Sequence, residues 1–219
     1  MRNITASLLA CLFVLGCHPV PKAMVTGPRV TPSAPTPTQI KGDTPQKFAF
    51  SPSPLLTKEL KSPLYGVWGN TSGDTFVVGT EGTILRSQKG EPFTGEAMFT
   101  GIGLTDIWGD GATAFVSGWH GYMLRTKDGG DSWERLSTNS SESFLGVWGA
   151  SIKDVYAVGS GGVIIHSTDE GKTWPMTYLP EAGMFYAVWG SSAKDVYAVG
   201  NGGFIAHSKD GGATKDHPH

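Results

Sequence analysis

From residue 64 onward, short apolar runs bounded by Gly, Ser, Asn and Asp recur in phase along the chain. Leu64-Tyr65-Gly66-Val67-Trp68-Gly69 returns as Leu104-Thr105-Asp106-Ile107-Trp108-Gly109, then as Leu145-Gly146-Val147-Trp148-Gly149 and Tyr186-Ala187-Val188-Trp189-Gly190. The tryptophans stand 40, 40 and 41 residues apart. Each run is followed by a second, such as Asp154-Val155-Tyr156-Ala157-Val158-Gly159 or its near copy at Asp195 to Gly200. A Gly-rich turn comes next (Ser160-Gly161-Gly162, Asn201-Gly202-Gly203), then a third run such as Val163-Ile164-Ile165-His166. Runs this short between turn residues predict strands, and no 3.6-residue stripe of useful length competes with them. Fourth strands are expected near 93–99, 133–138 and 174–178. A period of about 40 residues suits one four-stranded blade of a repeat architecture.

After each third strand stands a punctuated segment. Thr126-Lys127-Asp128-Gly129-Gly130-Asp131-Ser132-Trp133 and Ser167-Thr168-Asp169-Glu170-Gly171-Lys172-Thr173-Trp174 share one spacing of hydroxyl, aspartate, glycine and tryptophan. Asp128 and Asp169 are placed to accept backbone N–H bonds within their own hairpins. Gly130 and Gly171 take a positive φ, and Trp133 and Trp174 pack at the start of the fourth strand. The last copy, Ser208-Lys209-Asp210-Gly211-Gly212-Ala213-Thr214, keeps Asp210 and Gly212 but has Lys215 in the tryptophan phase. The first, Ser87 to Phe93, has lost the aspartate and carries Phe93 instead of tryptophan.

These segments resemble the Asp-box of bacterial neuraminidase-type repeats. Together with the Val-Trp-Gly strand they resemble the Asp-box β-propellers, most of all the repeats of photosystem II stability/assembly factors and many bacterial surface proteins. The resemblance covers about residues 64–214. It implies an all-β propeller of four repeats, partial or truncated, with the Asp-box on the blade periphery as a folding device. It says little about function, because propellers host unrelated roles.

Composition and the amino terminus add a location. Arg2 precedes an apolar run from Ile4 to Leu15 that is too short to span a membrane as a helix. The run ends in Val14-Leu15-Gly16-Cys17, which resembles the lipobox of bacterial lipoproteins. The resemblance implies cleavage before Cys17 and acylation of its thiol, so residues 1–16 are expected to be a signal peptide. With His18 and no aspartate after Cys17, it favours the outer membrane of a two-membrane cell. An ordinary secretory signal with an unrelated cysteine is the alternative. The other cysteine, Cys11, would leave with the signal, so the mature chain would hold no disulfide and no thiolate metal site. Residues 17–54 are rich in Pro, Thr and Ser and are expected to be an extended tether. The repeat region is expected at 55–215, with a tail at 216–219. The formal charge of −2 excludes a basic nucleic-acid face, and 31 glycines fit many tight turns.

The fourth repeat stops before its own fourth strand, and repeats cannot bury their terminal faces alone. Three solutions stay open: a truncated or open partial propeller, closure within the chain by a strand from Phe48 to Leu60, or self-association through open blade edges.

Candidate chemistry is sparse. A sialidase needs an arginine cluster, a tyrosine paired with a glutamate, and an acid/base aspartate. The repeats hold only Arg86, Arg125 and Arg135. Arg86, Arg125, His166 and His207 occupy one repeated third-strand position and are expected to be polar strand ends facing solvent; a ring would otherwise gather them around one axis. Tyr156 and Tyr197 recur in matching strands, as packing residues do. The histidines lack metal-site spacing, His217 and His219 form only a loose terminal pair, and one carboxylate per Asp-box loop falls short of a Ca²⁺ site. No catalytic residue, metal or cofactor is expected. Trp119-His120-Gly121 differs from Thr80-Glu81-Gly82, Ser160-Gly161-Gly162 and Asn201-Gly202-Gly203 by gaining a large aromatic. Trp119 and His120 are therefore the candidate binding residues, for a sugar ring or a peptide; packing of Trp119 on a neighbouring blade is the competing reading. The chain is expected to be a non-enzymatic binding or assembly module on a lipid anchor, its partner an unknown protein or glycan. A glycan-processing hydrolase fragment without its catalytic residues is the alternative.

Overall fold

The structure, a computed structural model, describes residues 62–97 and 101–212. The expected signal peptide, Cys17, the tether at 17–54, the segment Phe48 to Leu60, Lys215 and the tail at 216–219 lie outside these residues.

The described residues form four antiparallel sheets in which spatial order follows chain order. The first contains β1 (Leu64–Gly69), β2 (Asp74–Gly79), β3 (Thr83–Gln88) and β4 (Thr94–Ala97). The second contains β5 (Leu104–Asp110), β6 (Thr113–Gly118), β7 (Met123–Thr126) and β8 (Glu134–Leu136). The third contains β9 (Phe144–Ser151), β10 (Asp154–Gly159), β11 (Val163–Ser167) and β12 (Met176–Tyr178). The fourth has three strands, β13 (Phe185–Gly190), β14 (Val196–Gly200) and β15 (Ile205–Ser208). Each is one repeat folded as an up-and-down meander, and the fourth strands begin within two residues of the expected positions.

The repeats share a detail that their sequences do not spell out. Every first strand slips register by one residue against its second strand, at Tyr65, Thr105, Leu145 and Tyr186. A bulge of this kind bends the strand and re-aims its side chains. It falls where the chain enters each sheet from the previous one.

The meander sorts the connections onto two ends. At one end, the turns between second and third strands bond to the links between sheets: Trp119 N donates to Gly103 O at 2.8 Å, Gly162 N to Gly183 O at 3.1 Å and Asn201 N to Met184 O at 2.9 Å. At the other end, the hairpins between third and fourth strands bond to the turns between first and second strands, as Gly129 N does to Ala112 O at 2.9 Å.

The core lies between sheets. Phe76, Val78 and Ile84 of the first repeat pack against Leu104, Ile107, Ala114, Val116 and Leu124 of the second. Phe115 and Met123 of the second meet Phe144, Val147, Val155 and Ile165 of the third. A smaller cluster joins Val158 of the third to Phe185 and Ala198 of the fourth. Each sheet thus has a forward side that packs on the next repeat and a rear side that packs on the previous one.

The Trp-Gly dipeptide of each first strand links these sides. A Cβ on Gly109 would stand 2.8 Å from the Trp68 ring, one on Gly149 2.5 Å from Trp108, and one on Gly190 2.7 Å from Trp148. The tryptophan of one repeat therefore lies directly over the glycine of the next. That contact explains why the pair travels together through the repeats.

Candidate functional site

At the hairpin end, Thr126 Oγ1 donates to Asp128 Oδ1 at 2.8 Å and accepts Gly130 N at 2.8 Å. Asp128 also accepts Ser132 N at 2.9 Å and Ser132 Oγ at 2.6 Å. The third repeat repeats the lattice: Asp169 accepts Thr173 N at 2.9 Å and Thr173 Oγ1 at 2.7 Å, and Ser167 Oγ accepts Gly171 N at 2.8 Å. In the fourth, Asp210 Oδ1 and Ser208 Oγ both accept from Gly212 N. The Ser132 hydroxyl and N–H hold Asp128 far below the usual carboxylate range. The Thr173 N–H and hydroxyl hold Asp169 at about 2. These carboxylates are engaged chiefly by their own loops, which suits a fastener.

The glycines and tryptophans of the same hairpins face the previous repeat. Gly130 and Gly171 have φ of 91° and 80°, and added Cβ atoms would sit 2.5 Å from Phe76 and 2.9 Å from Phe115. Trp133 meets Phe76 edge-on at 6.2 Å, and Trp174 meets Phe115 edge-on at 6.4 Å. Trp174 Nε1 donates to Gly171 O at 3.0 Å, so the buried indole keeps its polar atom paired.

The four third-strand polar residues meet expectation only in part. Arg125 is buried, Arg86 and His166 are part-buried, and His207 is exposed as expected; each pairs within its own repeat or with the next hairpin. Arg86 donates to Asp74 at 3.0 Å within its own sheet and to Asp131 of the next hairpin at 2.7 Å. Arg125 is buried, donating through Nε to Glu134 at 2.7 Å and through its terminal nitrogen to the Glu170 carbonyl of the next repeat. His166 stacks on Tyr156 at 3.8 Å with Nε2 3.0 Å from Asp154. His207 stacks on Tyr197 at 3.9 Å with Nε2 2.7 Å from Asp195. The reason is local: in the first, third and fourth repeats an acid at the head of the second strand, Asp74, Asp154 or Asp195, lies diagonally across from this position, and in the second repeat, where Thr113 stands there, Glu134 of β8 takes its place. Tyr156 is buried, and its hydroxyl donates to Ala193 O at 3.0 Å.

The turn end presents a different surface. Trp119 is 36% exposed, and its ring lies over Gly103, where a Cβ would stand 2.5 Å away. Gly103 belongs to the lead-in of the same repeat. His120 is exposed with φ of 55°, and its N–H donates to Ser143 Oγ at 3.2 Å. Gly121 N donates to Glu142 O at 2.8 Å, so the turn is pinned to the following link. Beside it, the exposed Arg135 guanidinium lies 3.8 Å over the Tyr122 ring. Trp, Tyr and Arg are the residue types that dominate binding hot spots. The sequence reading did not single out Tyr122 and counted Arg135 only among the three arginines of the repeats, because nothing in the chain's order puts the two side chains together. Among the described residues, no group of three or more His, Cys, Asp or Glu could hold a metal ion.

A third residue the sequence reading passed over is Asp106. Two positions before the tryptophan, the other repeats carry Gly66, Gly146 and Ala187. Asp106 instead accepts Ile107 N at 2.9 Å and, across the junction, Val147 N at 3.0 Å. Burial raises its pKa, and the two N–H bonds oppose that shift. It ties the first strands of the second and third repeats together. The signal was available as the one acid in a column of small residues.

No family model matches the chain, and no curated protein matches it in sequence. Solved structures do match in fold. YCF48 from Cyanidioschyzon merolae is 21% identical at a TM-score of 0.56, with 69% of this chain and 54% of that one covered. A structure described as YCF48 bound to D1 peptide is 17% identical at 0.56, covering 72% and 57%. The WD40 β-propeller domain of Doa1 is 11% identical at 0.53, covering 63% and 47%. At these identities the likeness is one of fold, and the described sheets are four blades of a β-propeller. The chain spans about half the length of these structures.

Proposed function

We propose that this chain is a non-enzymatic interaction module held at the cell envelope by a lipid on Cys17, and that it binds a protein partner at the turn end of its second repeat. The observation that carries the reading is Trp119: a large aromatic, half in solvent, on a turn where the other repeats have Thr, Ser or Asn. Its backbone and ring are fixed by Gly103, and Tyr122, which carries the Arg135 stack, donates its N–H to Trp119 O at 3.1 Å. A rigid aromatic beside a cation loses little entropy on binding and suits an extended peptide. The D1 peptide named with a YCF48 structure makes a peptide the preferred class over a glycan. The hairpin carboxylates are engaged mainly by their own loops, which makes the turn end the better-equipped surface. The anchor reading rests on the Val14-Leu15-Gly16-Cys17 motif and the proline-rich stretch behind it, in keeping with the outer membrane.

The test is a photo-crosslinking amino acid placed at 119 and, in a separate strain, at Lys172 on the hairpin end. A discrete protein adduct from 119 and none from 172 is expected, with the 119 adduct lost in an Arg135→Ala background. Equal adducts at both positions, or none at 119, would overturn the turn-end site. Labelled palmitate in the chain, and its loss in Cys17→Ser, tests the anchor separately.

A further inference from the structure

We propose that two copies of this chain join end to end, the forward side of the fourth repeat of one seating Trp189 over Gly69 of the other. This surface is distinct from the turn-end site and goes beyond the binding role proposed above. Three internal junctions define how repeats meet: the tryptophan of one first strand covers the glycine of the next. At the two ends of the described chain, the same contact is split into its halves. Trp189 is 60% exposed, whereas Trp68, Trp108 and Trp148 are part-buried under their successors. Gly69 is exposed, and a Cβ there would meet nothing closer than Asp74 O at 3.4 Å. Gly69 is therefore the one Trp-Gly glycine, among the described residues, with no tryptophan above it and no steric need for a hydrogen side chain.

The rest of the two faces follows the same complementarity. Tyr197, Val199 and Ile205 hold the forward positions that Phe76, Val78 and Ile84 fill in the first repeat, and all three are exposed. Leu64 and Val67 hold the rear positions of Leu104 and Ile107. Val67 is 67% exposed against 4% for Ile107. Position agrees: Arg86 donates to Asp131 of the next hairpin, and the ends offer His207 in the Arg86 phase and exposed Glu91 in the Asp131 phase. A face whose complement is the chain's own other end is fitted to a second copy. The contact is heterologous, and two copies meeting at both ends close a ring of twice four blades.

Sedimentation equilibrium of the full chain, density-matched in detergent, should give twice the mass of one chain. Trp189→Asp and Gly69→Leu should each give the mass of one chain and still unfold cooperatively, with a melting temperature below the parent's because the stabilising contact between copies is lost. Mixing the two variants should restore the paired mass, because the Gly69→Leu copy still supplies Trp189 and the Trp189→Asp copy still supplies Gly69. A parent that sediments as one chain would overturn the proposal. So would variants that remain paired, or variants that stay apart on mixing. Should Trp189→Asp fail to fold, Gly69→Leu alone carries the test, since its site is sterically free.

Discussion

The junction between the second and third repeats and the junction between the third and fourth use equivalent positions, and they end up differently filled. In the former, Trp174 and Met176 from the start of β12 close over Phe115, Leu136 and Phe144. In the latter, the described residues leave a cavity of about 570 Å³ lined by Tyr156, Val158, Ile164, Met176, Val188 and Ala206, among others. One substitution in the repeat pattern contributes to the contrast: the third-strand position filled by Leu85, Leu124 and Ile165 holds Ala206, while the residue in the phase of Trp133 and Trp174, residue 215, lies outside the described residues. Sheet pairing alone therefore does not complete a blade junction. At the junction of the second and third repeats the wedge ahead of β12 supplies the largest side chain and fills the periphery between the sheets.

The comparison can be broken most severely at Trp174. Trp174→Ala should empty the filled junction and cost about 3–5 kcal/mol, in line with other buried aromatic truncations. Equilibrium denaturation of the variant would read this as a lower midpoint. An effect under about 1 kcal/mol would show that the indole is not the wedge. The converse change sharpens the contrast from the other side. Ala206→Leu restores the residue size of the other repeats at the cavity wall, and should stabilise by about 0.5–2 kcal/mol. A fall in melting temperature would mean that the cavity is already shaped around something else.

The smallest effect is electrostatic. The folded Asp169 sits at about 2 against an ordinary 3.8, so it favours the folded state above about pH 4. That contribution fades as pH falls through the folded value and the carboxylate protonates in both states. The melting-temperature gap between the parent and Asp169→Asn should thus be widest above pH 5 and narrow toward pH 2. A gap independent of pH would assign the loop's stability to the Ser167 and Thr173 hydroxyls alone.

Much of the fold was legible because each repeat states its strands four times over. Four phases of Val-Trp-Gly located the first strands, and Thr126 to Trp133 announced its hairpin chemistry through residue types that act within eight positions of one another. What escaped was whatever depends on a neighbour far along the chain. Arg86 and Arg125 looked like solvent-facing strand ends until Asp131 and the Glu170 carbonyl of the next repeats arrived beside them. Asp106 looked like one polar residue in a strand, and its partner, Val147 N, is a whole repeat away. Trp119 was legible as a departure from the repeat. That Gly103 supports it, and that Arg135 and Tyr122 stand near it, was not.

By itself, then, the sequence determined the strand order, the repeat boundaries and the hairpin locks, since these arise from period-two patterning and from hydrogen bonds a few residues long. The tertiary structure decided which cations are buried, why tryptophan and glycine travel together, and which faces remain uncovered. Those outcomes depend on close packing between sheets. The same Trp-Gly pair is a buried joint at Trp108 and Gly149 and, at Trp189 and Gly69, two exposed halves of one.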